Sequence, residues 1–188
     1  MKKILKTVVL KMFLAIVISV AVVFGITVGG IRLHRLNLST RYNFNYLKGC
    51  NMENKTRPYD GIVKMLSQLK EKGIKTAVLS NKFDAATVRL CNNLMPKLID
   101  LPVGERADFP RNPSPEAVYD IIDRLGAERE NTVFVGDSDT DIKTGKNANV
   151  ATVAVTWGYR NRKLLEESFA DYMADTVDEL CEILINKI

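Results

Sequence analysis

From residue 60 onward, the apolar positions alternate between the spacing of a helix and that of a buried strand. Recurrence every three or four residues predicts helices over 62–72, 84–94, 115–125, 139–149, 162–168 and 177–185. Short apolar runs predict strands over 75–79, 132–135 and 151–156, with an edge strand at 172–174. Asp84 and Ser114 are expected to cap helices, and the stretch 102–113, with its prolines and glycine, is predicted to be a loop. This alternation is typical of an α/β fold, a three-layer Rossmann-like arrangement in which helices cover a mostly parallel sheet.

The N-terminal part of the chain has a different pattern. Residues 12–31 are twenty consecutive uncharged residues, about the length that a helix needs to cross a bilayer. We therefore predict a membrane helix over 12–31, and because both flanks are basic its orientation stays open. Two alternatives are kept: the apolar stretch within 8–28 fills a strand position in the globular domain, or the segment comes from a rearranged or misread gene start.

Charge divides the chain near the same place. Residues 1–59 carry ten Lys and Arg and one acid, a net charge of +9, whereas residues 60–188 carry 17 Lys and Arg and 21 acids, a net charge of −4. The overall charge of +5 therefore does not indicate a nucleic-acid-binding domain, and no nucleic-acid partner is expected. We predict three segments: an apolar and basic segment over 1–40, a polar connector over 41–58 and a globular core over 59–188.

Three widely spaced cysteines and a single histidine limit the chemistry. Cys50, Cys91 and Cys181 form no CxxC pair, so neither a disulfide framework nor a structural zinc site is predicted. His34 comes after the apolar run, which argues against histidine-based catalysis in the globular part. The globular part is expected in a reducing cytosol, either carried on the membrane helix or free.

The most chemically informative segment comes directly after the strand predicted at 132–135. Gly136 ends the apolar run, and three acids, Asp137, Asp139 and Asp141, then fall within five residues. Ligands of open α/β sheets bind beyond the carboxyl ends of the strands, and carboxylate oxygens suit Mg²⁺. We predict Mg²⁺ as a cofactor, with Asp137 and Asp141 as its ligands and Ser138 as a weaker candidate.

Two other strand ends carry groups that should reach the same edge. Ser80 offers a hydroxyl and Asn81 a backbone amide, both suited to a phosphoryl oxygen. The turn at 156–158 is the third such end. A Ser-Asn pair is also an ordinary turn former, so this signal is weak by itself.

Taken together, these motifs make the chain resemble a known family. The segments AVLSNK at 77–82, NPSP at 112–115 and VGDSDTD at 135–141 come in the order and spacing of haloacid dehalogenase-like phosphatases. The segments 57–61 and 156–159 are similar to the phosphoglycolate phosphatase branch in particular. The resemblance covers roughly residues 41 to 185.

The resemblance implies a Mg²⁺-dependent phosphomonoesterase. In the family, an aspartate on the first strand forms an aspartyl-phosphate, and an aspartate two residues later acts as acid and base. A lysine before the Pro-x-Pro motif neutralises the charge that develops during transfer. By this resemblance Ser80 and Asn81 would hold the phosphoryl group, and Asp137 and Asp141 would hold the metal.

The chain departs from the family pattern at its start and at one motif. No carboxylate precedes Glu53, so no residue is identified as the nucleophile, and most of the cap domain is missing, with residues 41–56 resembling its end. The position before Pro113 is Asn112, so Arg111 or Lys82 would have to supply positive charge from a different geometry. We therefore expect this chain to hydrolyse phosphate esters very poorly or not at all.

These observations leave three functional hypotheses. The chain is a phosphatase-family domain for small phosphorylated acids, a non-catalytic membrane-anchored module that keeps a Mg²⁺ or phosphate site, or a truncated or frameshifted product. The expected partners are a small phosphorylated metabolite and, through residues 12–31, a membrane. A receiver domain of a phosphorelay is a weaker alternative, because it also needs an early acidic pair.

Overall fold

The computed structural model describes residues 15–19, 24–25, 57–107 and 109–186. Some predictions concern residues outside these ranges: the basic flanks of the apolar run, the connector over 41–56, His34 and Cys50. These stay predictions.

The described ranges form an alternating series of strands and helices. The strands are β1 (Ala15–Ser19), β2 (Phe24–Gly25), β3 (Arg57–Pro58), β4 (Lys75–Phe83), β5 (Leu101–Glu105), β6 (Thr132–Gly136), β7 (Ala151–Val155) and β8 (Tyr172–Ala174). The α-helices are α1 (Ile62–Glu71), α2 (Asp84–Leu94), α3 (Glu116–Leu125), α4 (Asp139–Asn147), α5 (Arg162–Glu166) and α6 (Val177–Asn186), and a 3₁₀ turn (Arg129–Asn131) precedes β6. Each helix and strand predicted between residues 60 and 186 is present, although β4 continues to Phe83, beyond its predicted end at Leu79.

Six of the strands form one parallel sheet in the order β5-β4-β1-β6-β7-β8. β1 lies between β4 and β6, with Ser19 paired to Leu79 on one side and Ile18 paired to Val135 on the other. β2 and β3 form a separate antiparallel pair. The N-terminal apolar run therefore supplies a central strand of the sheet.

This position of β1 corrects the prediction of a membrane helix over 12–31. That helix would include Ala15–Ser19, which the structure has as a strand paired on both sides. Among the described residues, none of the helices combines the length and apolar character that a bilayer crossing requires. The alternative, in which the apolar stretch fills a strand position, agrees with the structure. A strand buried on both faces is a continuous apolar run, so hydropathy alone does not separate it from a buried helix.

Two helical layers cover the sheet and confirm the three-layer arrangement. α1, α2 and α6 pack on one face against strand residues that include Val78 and Val133. α3 packs on the opposite face against Ala77 and Phe134, and α4 and α5 pack there against Ala154. Neighbouring strand residues alternate between these two cores, as the period of a strand requires.

The predicted loop over 102–113 is partly wrong, because Leu101–Glu105 is a strand. β5 pairs only with β4, so it is an edge strand of the sheet. Proline is tolerated on an edge strand because its missing N–H can face away from the ladder. Because Pro102 is a turn-forming residue, the sequence pattern predicted a loop where the structure has this strand.

The two predicted helix caps are also corrected. The residues at the cap positions of α2 and α3 are Phe83 and Pro115, and neither makes a side-chain cap hydrogen bond. Asp84 is the first residue of α2, and its Oδ1 accepts a hydrogen bond from the Gly104 amide at 2.8 Å. The Asp84 carboxylate therefore ties α2 to the edge strand β5 and does not close its own helix end. The hydroxyl of Ser114 donates to the carboxylate of Glu116.

Candidate functional site

β4, β1 and β6 are neighbours in the sheet, and β1 and β6 end at the same edge, level with Leu79 and Ser80 of β4. β1 ends at Ser19, whose partner on β4 is Leu79, the residue before Ser80. On the other side of β1, β6 ends at Gly136, the residue before Asp137. Neighbouring strands of a sheet are about 4.8 Å apart. The topology therefore brings the predicted phosphate-binding and metal-binding segments to one edge, with the end of β1 between them.

Asp137 is held at this edge by the turn after β7. Its side chain is buried, with 2% of the residue exposed. The amide of Tyr159 donates to its Oδ2 at 2.6 Å, and the amide of Arg160 donates to its main-chain oxygen at 3.2 Å. An N–H bonded to an ionised carboxylate stabilises its negative charge and limits its rotation. The Asp137 carboxylate is therefore oriented before any ligand binds.

Asp141 lies on the first turn of α4 and faces the same place. Its Oδ2 accepts hydrogen bonds from the Asp137 amide at 3.2 Å and from the Ser138 hydroxyl at 2.8 Å. The Ser138 Oγ in turn accepts from the Asp141 amide at 3.2 Å, so Ser138 is the N-cap of α4. Because this hydroxyl already serves the helix end, its role as a metal ligand stays a prediction.

Burial sets the charge of Asp141. Loss of solvation raises the pKa of its carboxyl from 3.8 to about 7, the hydrogen bond from Ser138 opposes this, and the nearby charge of Asp137 adds to it. The Asp141 carboxyl is therefore partly protonated near neutral pH. A cation placed against it would favour the ionised form, which couples cation binding to proton release.

Two glycines make room for the acidic pair. A Cβ on Gly136 would overlap the Cβ of Asp141, and a Cβ on Gly158 would overlap the Cβ and Oδ2 of Asp137. Gly136 is recognisable in the sequence as the end of a strand. From the sequence, Gly158 and Tyr159 belong only to a turn at 156–159, because a contact with Asp137 requires knowing that β7 is the neighbour of β6.

The third acid of the segment, Asp139, belongs to a different set of contacts. Its Oδ1 accepts from Arg160 Nε at 3.2 Å, and its Oδ2 lies 3.6 Å from Lys143 Nζ. The Arg160 guanidinium also lies over the Tyr159 ring, 5.0 Å from its centre. Asp139 is thus neutralised by two cations, whereas the hydrogen bonds recorded for Asp137 and Asp141 come from amides and a hydroxyl.

The phosphate-binding candidates near the end of β4 differ in exposure. Ser80 is buried, and its Oγ accepts a hydrogen bond from the Lys82 amide at 3.0 Å. Asn81 and Lys82 are exposed on the last residues of the strand. The register of β4 against β5 shifts between Leu79 and Phe83, and Ser80 lies at the edge that also carries Asp137.

The cation predicted as a substitute for the missing lysine is already paired. Nε and Nη2 of Arg111 lie 2.7 and 2.6 Å from Oε1 of Glu105. Asn112 comes next in the loop before α3 and is half-buried. Lys82, by contrast, lies on the same strand end as Ser80 and is exposed. The geometry therefore favours Lys82 over Arg111 as the nearby positive charge, and both assignments stay predictions.

The donor set at this edge fits Mg²⁺ better than a softer metal. The two buried carboxylates supply hard oxygen atoms, and Mg²⁺ usually takes one or two carboxylates and retains several waters. In the part of the chain that the structure describes, no group of three or more His, Cys, Asp or Glu side chains is placed to hold a metal. A transition-metal cage is therefore not built from these residues, whereas the two-carboxylate arrangement is compatible with Mg²⁺.

Comparisons with known proteins agree with the motifs. The model of the haloacid dehalogenase-like hydrolase family matches residues 35–155. A phosphoglycolate phosphatase of Aquifex aeolicus is 34% identical over 134 residues, which are 71% of this chain and 62% of that protein. The pyrophosphatase PpaX of Bacillus mycoides is 30% identical over 127 residues, 67% of this chain and 59% of that protein. The chain spans about three fifths of the length of these curated relatives.

Solved structures extend this similarity to the fold. A protein from Lactobacillus delbrueckii subsp. bulgaricus, assigned as a phosphoglycolate phosphatase, superposes with a TM-score of 0.71 at 33% identity, over 76% of this chain and 59% of its own. A haloacid dehalogenase-like family hydrolase from Streptococcus pneumoniae superposes with a TM-score of 0.70 over 89% of this chain and 96% of its own. At 13% identity, the second similarity shows the fold alone.

Proposed function

The chain belongs to the haloacid dehalogenase-like hydrolase family, and on this premise we propose that it binds Mg²⁺ and a phosphate group at the ends of β4, β1 and β6. We further propose that it hydrolyses phosphate monoesters very poorly or not at all. The domain then acts as a binding module built on a phosphatase fold. The alternative, an active phosphatase, is an outcome of the turnover experiment.

One observation carries the binding proposal. Asp137 and Asp141 are both buried, yet their carboxylates receive hydrogen bonds from amides and a hydroxyl and none from Lys or Arg among the described residues. Two adjacent acids without a cationic partner repel each other, and a divalent ion at this edge would relieve the repulsion. The contrast with Asp139, which is paired with Arg160 and Lys143, supports the assignment of the ion to Asp137 and Asp141.

The phosphate part of the proposal rests on the other side of the same edge. Ser80 and the amide of Asn81 lie near the end of β4, two strands from Asp137, and Lys82 adds positive charge nearby. The relatives are named for phosphoglycolate and for pyrophosphate, which share a terminal phosphoryl group. We propose that this shared group, and not the rest of either molecule, is what the site holds.

Bound Mg²⁺ would neutralise phosphoryl oxygens and polarise phosphorus. The residues of this chain would hold and orient the ligand: Asp137 and Asp141 through the ion, and Ser80 and Asn81 through hydrogen bonds. In the family the attacking group is an aspartate on the first strand, and residues 1–52 of this chain contain no carboxylate. Without its nucleophile the covalent reaction does not proceed, which lowers the rate of hydrolysis more than the absence of a stabilising lysine at the position of Asn112.

Isothermal titration of the full chain with MgCl₂ tests the binding proposal. We expect Asp137→Asn to weaken Mg²⁺ binding at least about tenfold, since it removes one of two anionic ligands. Asp139→Asn is the matched control, with the same change on the same segment, and it should change the Kd less than about threefold. Equal effects of the two substitutions would contradict the proposed ligand set.

Turnover is tested with p-nitrophenyl phosphate and with pyrophosphate, each with Mg²⁺ and with EDTA. We expect no release above the rate of a buffer blank for either substrate. A Mg²⁺-dependent release that Asp137→Asn abolishes and Asp139→Asn preserves would show an active phosphatase and overturn the inactivity proposal, while leaving the binding proposal intact.

A further inference from the structure

The turn after β7 carries two side chains that the proposed site does not use. The amide of Tyr159 donates to Asp137 Oδ2 at 2.6 Å, so the backbone of Tyr159 is fixed against one of the two buried acids. Tyr159 itself is 78% exposed, and its ring therefore contributes little to the core. The next residue, Arg160, brings a positive charge to the same turn.

Arg160 is held both by its backbone and by its guanidinium. Its amide donates to the main-chain oxygen of Asp137 at 3.2 Å, and its Nε donates to Oδ1 of Asp139 at 3.2 Å. The guanidinium also lies over the Tyr159 ring, 5.0 Å from the ring centre. Neighbouring Cα atoms are about 3.8 Å apart, so these contacts fix the positive charge within a few residues of the Asp137 carboxylate.

The charges around Asp139 do not balance. Lys143 Nζ lies 3.6 Å from Oδ2 of Asp139, and Arg160 contacts Oδ1 of the same carboxylate. Two positive charges and one negative charge give this group a net charge of +1. The hydrogen bond from Arg160 to Asp139 uses Nε, whereas a guanidinium has further N–H donors on its two Nη atoms. The Arg160 side chain is 38% exposed, so a ligand can reach it.

We propose that Arg160 is a specificity-determining residue that binds a second anionic group of the ligand, and that Tyr159 positions its guanidinium. The inference rests on the proposed function, in which Mg²⁺ and Ser80 hold the phosphoryl group of the same ligand. It adds a subsite outside the strand ends, at the turn after β7. The ligands that this chain prefers then carry a carboxylate or another phosphoryl group close to the first.

Arginine suits such a subsite. Its planar fork of N–H donors matches the two oxygens of a carboxylate or phosphate, and a charge-assisted pair of this kind is stronger than a neutral hydrogen bond. Stacking on the Tyr159 ring restricts the guanidinium before the ligand arrives, so less side-chain entropy is lost on binding.

A purely structural role for Arg160 predicts a different result. If the pair of Arg160 and Asp139 only braced the turn, removal of either partner would lower ligand affinity in the same direction. If Arg160 binds the ligand, loss of its charge weakens binding of the second anion, whereas loss of the Asp139 charge strengthens it. The reason is that the Asp139 carboxylate competes with the ligand for the guanidinium.

The experiment compares two phosphonates that differ in one group. Phosphonoacetate carries a carboxylate where ethylphosphonate carries a methyl group, and neither has a phosphate ester bond to hydrolyse. Both are titrated calorimetrically into the full chain in MgCl₂, at a pH where the phosphonate groups are doubly ionised. The preference is the Kd of ethylphosphonate divided by that of phosphonoacetate. We expect a preference of about tenfold or more, which Arg160→Gln lowers to about twofold or less.

Lys143→Gln is the matched control. It removes the same charge from the same partner, Asp139, but Lys143 lies one helical turn further along α4. We expect it to change the preference by less than about twofold. Asp139→Asn should raise the preference by about threefold, the opposite direction to Arg160→Gln.

The positioning role of Tyr159 is tested by two substitutions that keep the amide bound to Asp137. Tyr159→Leu removes the ring, and we expect the preference to fall about threefold. Tyr159→Phe keeps the ring under the guanidinium and should restore the original preference. The Kd of ethylphosphonate should stay within about twofold in both variants, which would not hold if the turn itself were disturbed.

Failure of the proposed function and failure of this inference give different results. If the unsubstituted chain binds neither Mg²⁺ nor ethylphosphonate, both are overturned. If it binds them, the proposed function stands, and either of two results overturns the role of Arg160. One is a preference that Arg160→Gln leaves unchanged, and the other is a preference that Arg160→Gln and either Lys143→Gln or Asp139→Asn lower alike.

Discussion

β1 and β6 are neighbouring parallel strands of equal length, yet the segments after them differ in chemistry. Both are five-residue runs dominated by apolar residues, and they pair with each other along the sheet. Three of the five residues after β6 are acids, whereas the five residues after β1, at 20–24, are all apolar. A position inside the sheet requires only an extended run that tolerates burial. Fold and chemistry are therefore separable here, because the chemistry depends on the few residues directly after each strand.

A proline at the centre of β1 should destabilise the chain more than any other substitution considered. Val17→Pro would remove an N–H from a strand that is paired on both sides, and we expect the free energy of unfolding to fall by about 3 kcal/mol or more. Met173→Pro on β8, which pairs only with β7, is the control and should cost clearly less. Urea unfolding followed by circular dichroism measures both. Unchanged stability of Val17→Pro would show that β1 does not hold the central position.

The close contact between Gly158 and Asp137, after the end of β6, is tested by a larger residue at position 158. Gly158→Ala would push a methyl group into the Asp137 carboxylate, and we expect a loss of about 2 kcal/mol in stability together with weaker Mg²⁺ binding. Gly73→Ala is the comparison: its φ of 73° also penalises alanine, by about 1 kcal/mol, but its surroundings are open. Titration with Mg²⁺ should show a weaker affinity for Gly158→Ala than for Gly73→Ala. A Gly158→Ala variant that retained the original Mg²⁺ affinity would argue against the close contact.

The pH dependence of stability reports on the buried Asp141 carboxyl. The pKa of Asp141 is raised from 3.8 to about 7 by burial, so the folded chain holds a proton that the unfolded chain releases between about pH 4 and pH 7. The contribution of the Asp141 carboxyl to the free energy of unfolding is therefore lost as the pH rises from about 4 to 7. The loss is no more than about 1.4 kcal/mol per pH unit. Urea unfolding at half-unit steps should show this fall in the unsubstituted chain and in Asp139→Asn, and a flatter profile in Asp141→Asn. Parallel profiles for all three would contradict the raised pKa.

Substitution of the surface cations Arg111 and Lys82 should have the mildest consequences. Arg111 is already paired with Glu105 and is 68% exposed, so Arg111→Gln should change stability by less than about 1 kcal/mol. It should also leave orthophosphate binding within about twofold, whereas Lys82→Gln should weaken it by about threefold or more. Titration of both variants with orthophosphate measures the difference. A larger loss for Arg111→Gln would restore the arginine as the cation of the site.

Several elements were predictable because their signals are local. The strand Tyr172–Ala174 and the start of α2 at Asp84 are indicated directly by apolar spacing and flanking turn residues. Asp137 and Asp141 are predicted as functional residues because acids placed directly after a buried strand cost free energy unless a partner compensates their charge. β5 was missed because Pro102 and Gly104 resemble a loop until the strand is known to lie at the sheet edge.

Neighbouring residues in the sequence are enough to predict the helices and most of the strands beyond residue 60, the family motifs and the lack of any carboxylate before Glu53. The three-dimensional arrangement is needed to see that the N-terminal apolar run contributes a strand and that Gly158 contacts Asp137. It is also needed to see that Asp139 pairs with cations, whereas amides and a hydroxyl donate to Asp137 and Asp141. Burial, register and charge pairing arise between strands that are distant in the chain, and no local sequence pattern indicates which strands become neighbours.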